Sequence, residues 1–158
     1  MTIDKLLARE SIRATIANYT IAGDRMRIDD FLSVFTEDAI LESEFVPAQD
    51  AFRYEGLEQI KQWITRWRDG LQTNETPIHK ATFIRHHLAT SQIELIDRYS
   101  AEGRTYWTAY TDIGPDHAGY YVDQFRKTND AWLIAHRRVR LDWRAHNSLF
   151  LDAVTETR

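Results

Sequence analysis

Residues 6–42, LLARESIRATIANYTIAGDRMRIDDFLSVFTEDAILE, set out a long helix, a stop, a short second helix and the start of a strand. From Thr2 to Ala22 nothing breaks a helix, and Gly23 then supplies a stop of the kind that tolerates a left-handed C-terminal conformation. The apolar residues fall on two stripes, Ile3, Leu7, Ala14 and Ile21 on one and Ile12, Ile16 and Tyr19 on the other, which predicts a helix covered on both sides. Asp29 and Asp30 stand where a helix N-terminus favours carboxylates, and Ile28, Phe31, Leu32 and Phe35 follow at helical spacing. After a Thr36-Glu37-Asp38 turn, Ala39 to Phe45 alternates apolar with acidic residues, the period of a half-exposed strand, and Pro47 to Asp50 reads as loop.

Downstream, Leu57, Ile60, Ile64, Trp67 and Leu71 make one apolar stripe of a third helix, and Thr73 to Pro77 is a polar connection. The texture then changes to residues favoured in strands, at about Thr82 to Ile96, Arg104 to Ile113, Gly119 to Arg126 and Trp132 to Leu141. Turn signals at Ala101-Glu102-Gly103, Gly114-Pro115-Asp116 and Thr128-Asn129-Asp130 separate them, and such short connections imply antiparallel neighbours. Helices first and a meandering sheet afterwards is the α+β pattern. No repeat, low-complexity tract or linker interrupts it, so residues 1–158 are expected to form one domain.

A net charge of −4 gives no electrostatic footprint for nucleic acid. The absence of cysteine excludes disulfides, thiolate ligands and a cysteine nucleophile. The N-terminus lacks the apolar core of a signal peptide and no apolar run is long enough for a membrane span, so a cytoplasmic location is expected. Aromatic residues at 12% argue for a substantial core or a cavity lined by rings.

Asp24 follows the glycine at the helix end, with Tyr19 on the more aromatic stripe, and its carboxylate either points into a cavity or is a solvated residue after the helix. His86 and His87 are adjacent on a strand and must project to opposite faces. Parity places His86 with Ile84 and Leu88 and so favours it as the inward residue. Tyr106, Thr108, Tyr110 and Asp112 share one face of the next strand, and Tyr121, Asp123 and Phe125 share a face of the one after. Their hydroxyls could polarise a substrate oxygen, or they simply pack the sheet. Arg137, Arg138, Arg140 and Arg144, beside Asp142, read as an edge or surface strand paired with carboxylates. No HExxH, Walker, GxGxxG or GxSxG pattern is present, and the histidine spacing speaks against a metal site.

Together, the opening stretch with FIRHHLATSQIEL, RTYWTAYTDI and YYVDQFRKTNDAWLIAHRRVRL resembles the SnoaL-like family over nearly the whole chain. The resemblance implies a cone-shaped α+β roll enclosing a pocket, a homodimer or homotrimer, and residues 143–158 as a C-terminal flap. Its functional analogues are scytalone dehydratase and bile acid 7α-dehydratase, lyases without metal or organic cofactor. Their catalytic aspartate falls on Asp24 and the preceding tyrosine on Tyr19. The catalytic histidine falls on His87, against the parity argument, and the alignment is taken as deciding. The second histidine of scytalone dehydratase falls on Tyr110 and its later asparagine on Tyr121, both departures from that enzyme's pattern. His86, Trp107, Asp123 and Arg140 join Tyr121 as expected substrate contacts. The implied activity is loss of water from a small hydroxylated cyclic, aromatic or steroid-like substrate through an Asp24–His87 dyad. Alternatives are a ketosteroid-isomerase-type reaction and a non-catalytic binding module resembling the small subunits of ring-hydroxylating dioxygenases.

Overall fold

Helix α1 (Ile3–Asp24) starts on Thr2, whose hydroxyl accepts the Lys5 N–H at 3.4 Å. The computed structural model describes residues 2–44, 51–72 and 81–149. The expected 47–50 loop, the 73–77 connection and the flap beyond Leu149 lie outside the described residues. One stripe of α1 is buried, with Ile12, Ile16 and Tyr19 joined by Thr15, Thr20 and Ala22. On the other, Ile3, Leu7 and Ile21 are half or more exposed, which corrects the expectation of cover on both sides: the sheet lies against one side only. Thr15 fixes the contact by donating its hydroxyl to the Trp132 carbonyl at 2.5 Å.

Gly23 is not the left-handed stop expected from the sequence. The helix runs through it to Asp24, Met26 takes the positive φ of 53°, and the Arg27 N–H returns to the Ala22 carbonyl at 2.9 Å. A Cβ at Gly23 would stand 3.4 Å from the Phe31 ring of α2 (Ile28–Leu32), an ordinary packing contact. The short second helix ends before Phe35, which instead opens a strand.

The remaining elements are β1 (Phe35–Ser43), β2 (Arg53–Glu55), α3 (Gly56–Gln72), β3 (Arg85–Leu95), β4 (Ser100–Thr111), β5 (Gly114–Thr128) and β6 (Ala131–Arg144). They form one mixed sheet in the order β2-β1-β6-β5-β4-β3. Every pairing is antiparallel except β1 with β6, which is parallel. The expected Thr36-Glu37-Asp38 turn is a bulge inside β1: Phe35 pairs with Ile134, and the next partners are Ile40 and His136.

The N-terminal helices cover one face of this curved, open sheet. Ile93, Ala109, Phe125 and Ile134 from the strands meet Ile12, Phe31 and Ile60 from the helices in a single core cluster. Each large apolar side chain so buried contributes roughly 1.5–3 kcal/mol. Among the described residues no helix is long and apolar enough to cross a membrane.

Candidate active site

β3 lies at the edge of the sheet, so alternate N–H groups along it face away from β4 and need other partners. The end of α1 supplies one. Asp24 Oδ2 accepts the His86 backbone N–H at 2.9 Å, and Asp24 Oδ1 lies 2.6 Å from His86 Nδ1. The carboxylate is 7% exposed and the imidazole 22%. An ionised carboxylate can only accept, so Nδ1 carries the proton and Nε2 of the neutral ring keeps its lone pair. With both oxygens bound to one residue, Asp24 fixes the tautomer and orientation of His86 together.

The histidine beside Asp24 is therefore His86, as strand parity indicates, and the assignment of that place to His87 is corrected. His87 is exposed on the outer face, with its ring 4.5 Å from that of Tyr110. Tyr110 is thus also on the outer face, away from Asp24, as is Arg140, which bonds Asp142 at 2.9 Å. The facing hydroxyl rows expected from β4 and β5 are split by the same geometry. Tyr106 packs on Tyr120 outside, while Tyr121 lies inside. An open depression of about 200 Å³ on this outer face, lined by Gln92, Glu102, Arg104, Gln124 and Arg138, is across the sheet from Asp24.

Arg137 departs furthest from its surface reading. Between Gln124↔His136 and Phe125↔Ile134, β6 carries one extra residue, Ala135, and that bulge turns Arg137 inward. Its Nε and Nη2 donate to the two Asp123 oxygens, both at 2.7 Å, and neither side chain is exposed. Asp123, expected to touch substrate, thus holds Arg137. The guanidinium carbon lies 4.0 Å from the Tyr19 ring centroid and 4.1 Å from that of Tyr121. Burial works against the charge, yet the Asp123 carboxylate outweighs it and holds the Arg137 pKa above its usual value.

Burial raises both phenols, Tyr121 the more; Arg137 pulls them down, and the Asp24 and Asp123 carboxylates push them further up. Tyr19 and Tyr121 are accordingly neutral hydrogen-bond donors at neutral pH.

Two further residues were missed by reading Gly114-Pro115-Asp116 as a turn. The turn falls at Asp112 and Ile113, and β5 begins at Gly114 with φ 89°. Pro115 is tolerated because it pairs only with Tyr110, before β6 joins at His117. Asp116 is fully buried and lies 2.7 Å from His117 Nδ1. It also accepts the Thr111 hydroxyl at 3.0 Å, the Ser148 hydroxyl at 2.5 Å and the Leu149 N–H at 2.9 Å. Burial acts to raise the Asp116 pKa, but the bonds from Ser148, Leu149, His117 and Thr111 together hold it below the usual range. His117 is lowered, chiefly by burial and also by His86 and Arg144, against the opposing pull of Asp116. An Asp-His dipeptide in a strand was the available signal.

Trp107 joins these groups. Its ring centroid is 5.5 Å from both His86 and His117 and 5.7 Å from Tyr121, and the two imidazoles are 6.2 Å apart. Its indole Nε1 and Arg137 Nη1 are buried without a hydrogen-bond partner. A buried donor left unpaired costs about 1–3 kcal/mol, which makes both candidate contacts for a ligand. Among the described residues no three His, Cys, Asp or Glu side chains form a group able to hold a metal.

Residues 4–138 match the family model described as the SnoaL-like domain. No curated protein matches the sequence. Among solved structures, a presumed scytalone dehydratase from Novosphingobium aromaticivorans aligns with TM-score 0.73 and 20% identity, covering 92% of this chain and 91% of that one. The hexachlorocyclohexane dehydrochlorinase LinA-type3 from Novosphingobium barchaimii gives TM-score 0.69 and 15% identity over 95% and 98%. The beta subunit of a presumed aromatic-ring-hydroxylating dioxygenase from N. aromaticivorans gives 0.70 and 17% over 92% and 96%. At these identities the likeness is one of fold.

Proposed function

This chain belongs to the SnoaL-like domain family, and we propose that it is a cofactor-independent lyase that removes water from a small hydroxylated cyclic, aromatic or steroid-like substrate. The observation that carries this reading is the Asp24 carboxylate, bonded to both the ring and the backbone of His86 at 2.6 and 2.9 Å in a largely buried setting. His86 Nε2 takes a proton from a carbon next to a carbonyl, and Asp24 stabilises the imidazolium that forms. Tyr19 and Tyr121, kept neutral by burial, donate to the developing enolate oxygen, with the Arg137 charge against both rings strengthening them as donors. Similarity in fold to one protein named as a dehydratase and another named as a dehydrochlorinase supports elimination as the reaction class.

Cyclic β-hydroxyketones are the substrates to offer, with mass spectrometry reading loss of one water. Asp24→Asn should lower kcat on the order of 10²–10⁴-fold, the usual weight of positioned proton transfer. Unchanged product mass with a moved double bond would point to an isomerase. Unaltered ligand affinity in Asp24→Asn with no turnover in either protein would sink the lyase reading and leave a binding module.

A further inference from the structure

The elimination proposed above must deliver negative charge to a departing atom, and the Asp24–His86 pair handles only the proton. The Trp107 ring packs against both imidazoles and Tyr121, and its indole Nε1–H is buried and unpaired. Trp107 is 5% exposed, and its indole, a donor that does not titrate in the working range, can stabilise an anion but cannot protonate one. We infer that Trp107 receives the leaving oxygen or halogen on Nε1–H and that His117, held by Asp116, positions the indole; this rests on the lyase reading.

The surroundings are built around that ring. β5 presses on it at Gly119, where a Cβ would stand 3.0 Å from Trp107 Cζ2 and 1.8 Å from the Arg140 carbonyl oxygen, so only glycine fits. His117 meets the indole edge-on at an interplanar angle of 77°. Asp116 joins His117 to the returning chain, since Ser148 and Leu149 donate to its carboxylate and the Ala145 N–H donates to its carbonyl at 2.8 Å. The expected flap begins at Trp143, but Trp143 and Arg144 belong to β6, and residues 145–149 beyond them are thereby tied to the positioning pair.

The step balances within the site. His86 takes the proton from carbon, the C–H electrons become the new double bond, and the C–X bond breaks with its pair moving to X. The indole N–H holds X as its charge develops. When X is hydroxide, the His86 imidazolium returns its proton to it, releasing water and the neutral ring. When X is halide, that proton passes to solvent.

Indole ¹⁵N–¹H spectra of the whole chain, with the Trp107 signal assigned by its loss in Trp107→Phe, test the proposal alongside kinetics. The probes are 3-hydroxycyclohexanone and 3-bromocyclohexanone. Saturating hydroxyketone should move the Trp107 signal downfield. Trp107→Phe should lower kcat for the hydroxyl compound roughly tenfold or more with KM little changed, and less for the bromide, which departs more readily. In His117→Gln the Trp107 signal should no longer respond to the hydroxyketone, whereas a merely structural His117 would leave the response intact. An unmoved indole signal with wild-type turnover in Trp107→Phe overturns this inference while the lyase reading stands. Neither turnover nor any indole response in the native chain overturns both.

Discussion

His86 and His87 occupy the same strand and look out on opposite sides of the sheet. His86 gives its ring and its backbone N–H to one buried carboxylate, 2.6 and 2.9 Å away. His87 is exposed and lies against Tyr110. The residue type is identical, so the difference between a candidate base and a surface ring is made by strand parity and by where α1 ends. Position in the fold, not the presence of histidine, carries the chemistry.

The sharpest way to break that comparison is to exchange each ring for an amide. His86→Gln should reduce kcat/KM on a cyclic β-hydroxyketone by about 10²–10⁴-fold, since the proposed base is lost. His87→Gln should leave kcat/KM unchanged. Equal losses in the two variants would show that the face of the sheet does not decide the role.

Ion pairs on the two faces extend the contrast from activity to stability. Arg137 and Asp123 are wholly buried, whereas Arg140 and Asp142 are 34% and 43% exposed. Asp123→Ala strands the Arg137 charge in the core and should cost about 3–5 kcal/mol in urea unfolding. Asp142→Ala should leave the unfolding midpoint where it is, because solvent screens an exposed pair. A small effect at Asp123 would mean that water or the phenols of Tyr19 and Tyr121 take over its work.

The same two faces explain how much was legible in the sequence. Helical spacing located α1 and α3, and strand texture located β3 to β6, because those periods follow directly from backbone geometry. Asp24 was legible as a carboxylate at the end of a long helix, though it is the helix's last residue and not the one after it, and His86 as the inward member of its pair. What failed was whatever a bulge or a turn displaced by one or two residues. The extra residue Ala135 turns Arg137 inward out of a basic run that reads as surface, and the turn at Asp112 and Ile113 moves Asp116 and His117 into the sheet. A single inserted residue reverses every side chain beyond it, and no local composition announces it. The resemblance puts His87 beside Asp24, whereas the structure puts His86 there, as parity indicates. Parity is a physical constraint within the strand, whereas a one-residue alignment slip is free.

The smallest expected effect sharpens the comparison within the inner face itself, where two imidazoles lie 6.2 Å apart. His117 has a pKa below the ordinary 6.5, first because it is buried and then because His86 and Arg144 stand near it, with Asp116 opposing. Below about pH 6.5 the unfolded chain takes up a proton that folded His117 still refuses. Stability is then fully present above that pH and declines as pH falls toward the folded value, with a slope of at most about 1.4 kcal/mol per unit. Carboxyls displaced downward, such as Glu42 and Asp116, start from 4.5 and 3.8 and act only in stronger acid. Thermal unfolding followed from pH 7 to pH 5 should show the loss, and His117→Gln should flatten it. An unchanged slope in that variant would move the proton uptake to another group and remove the electrostatic link between the two histidines.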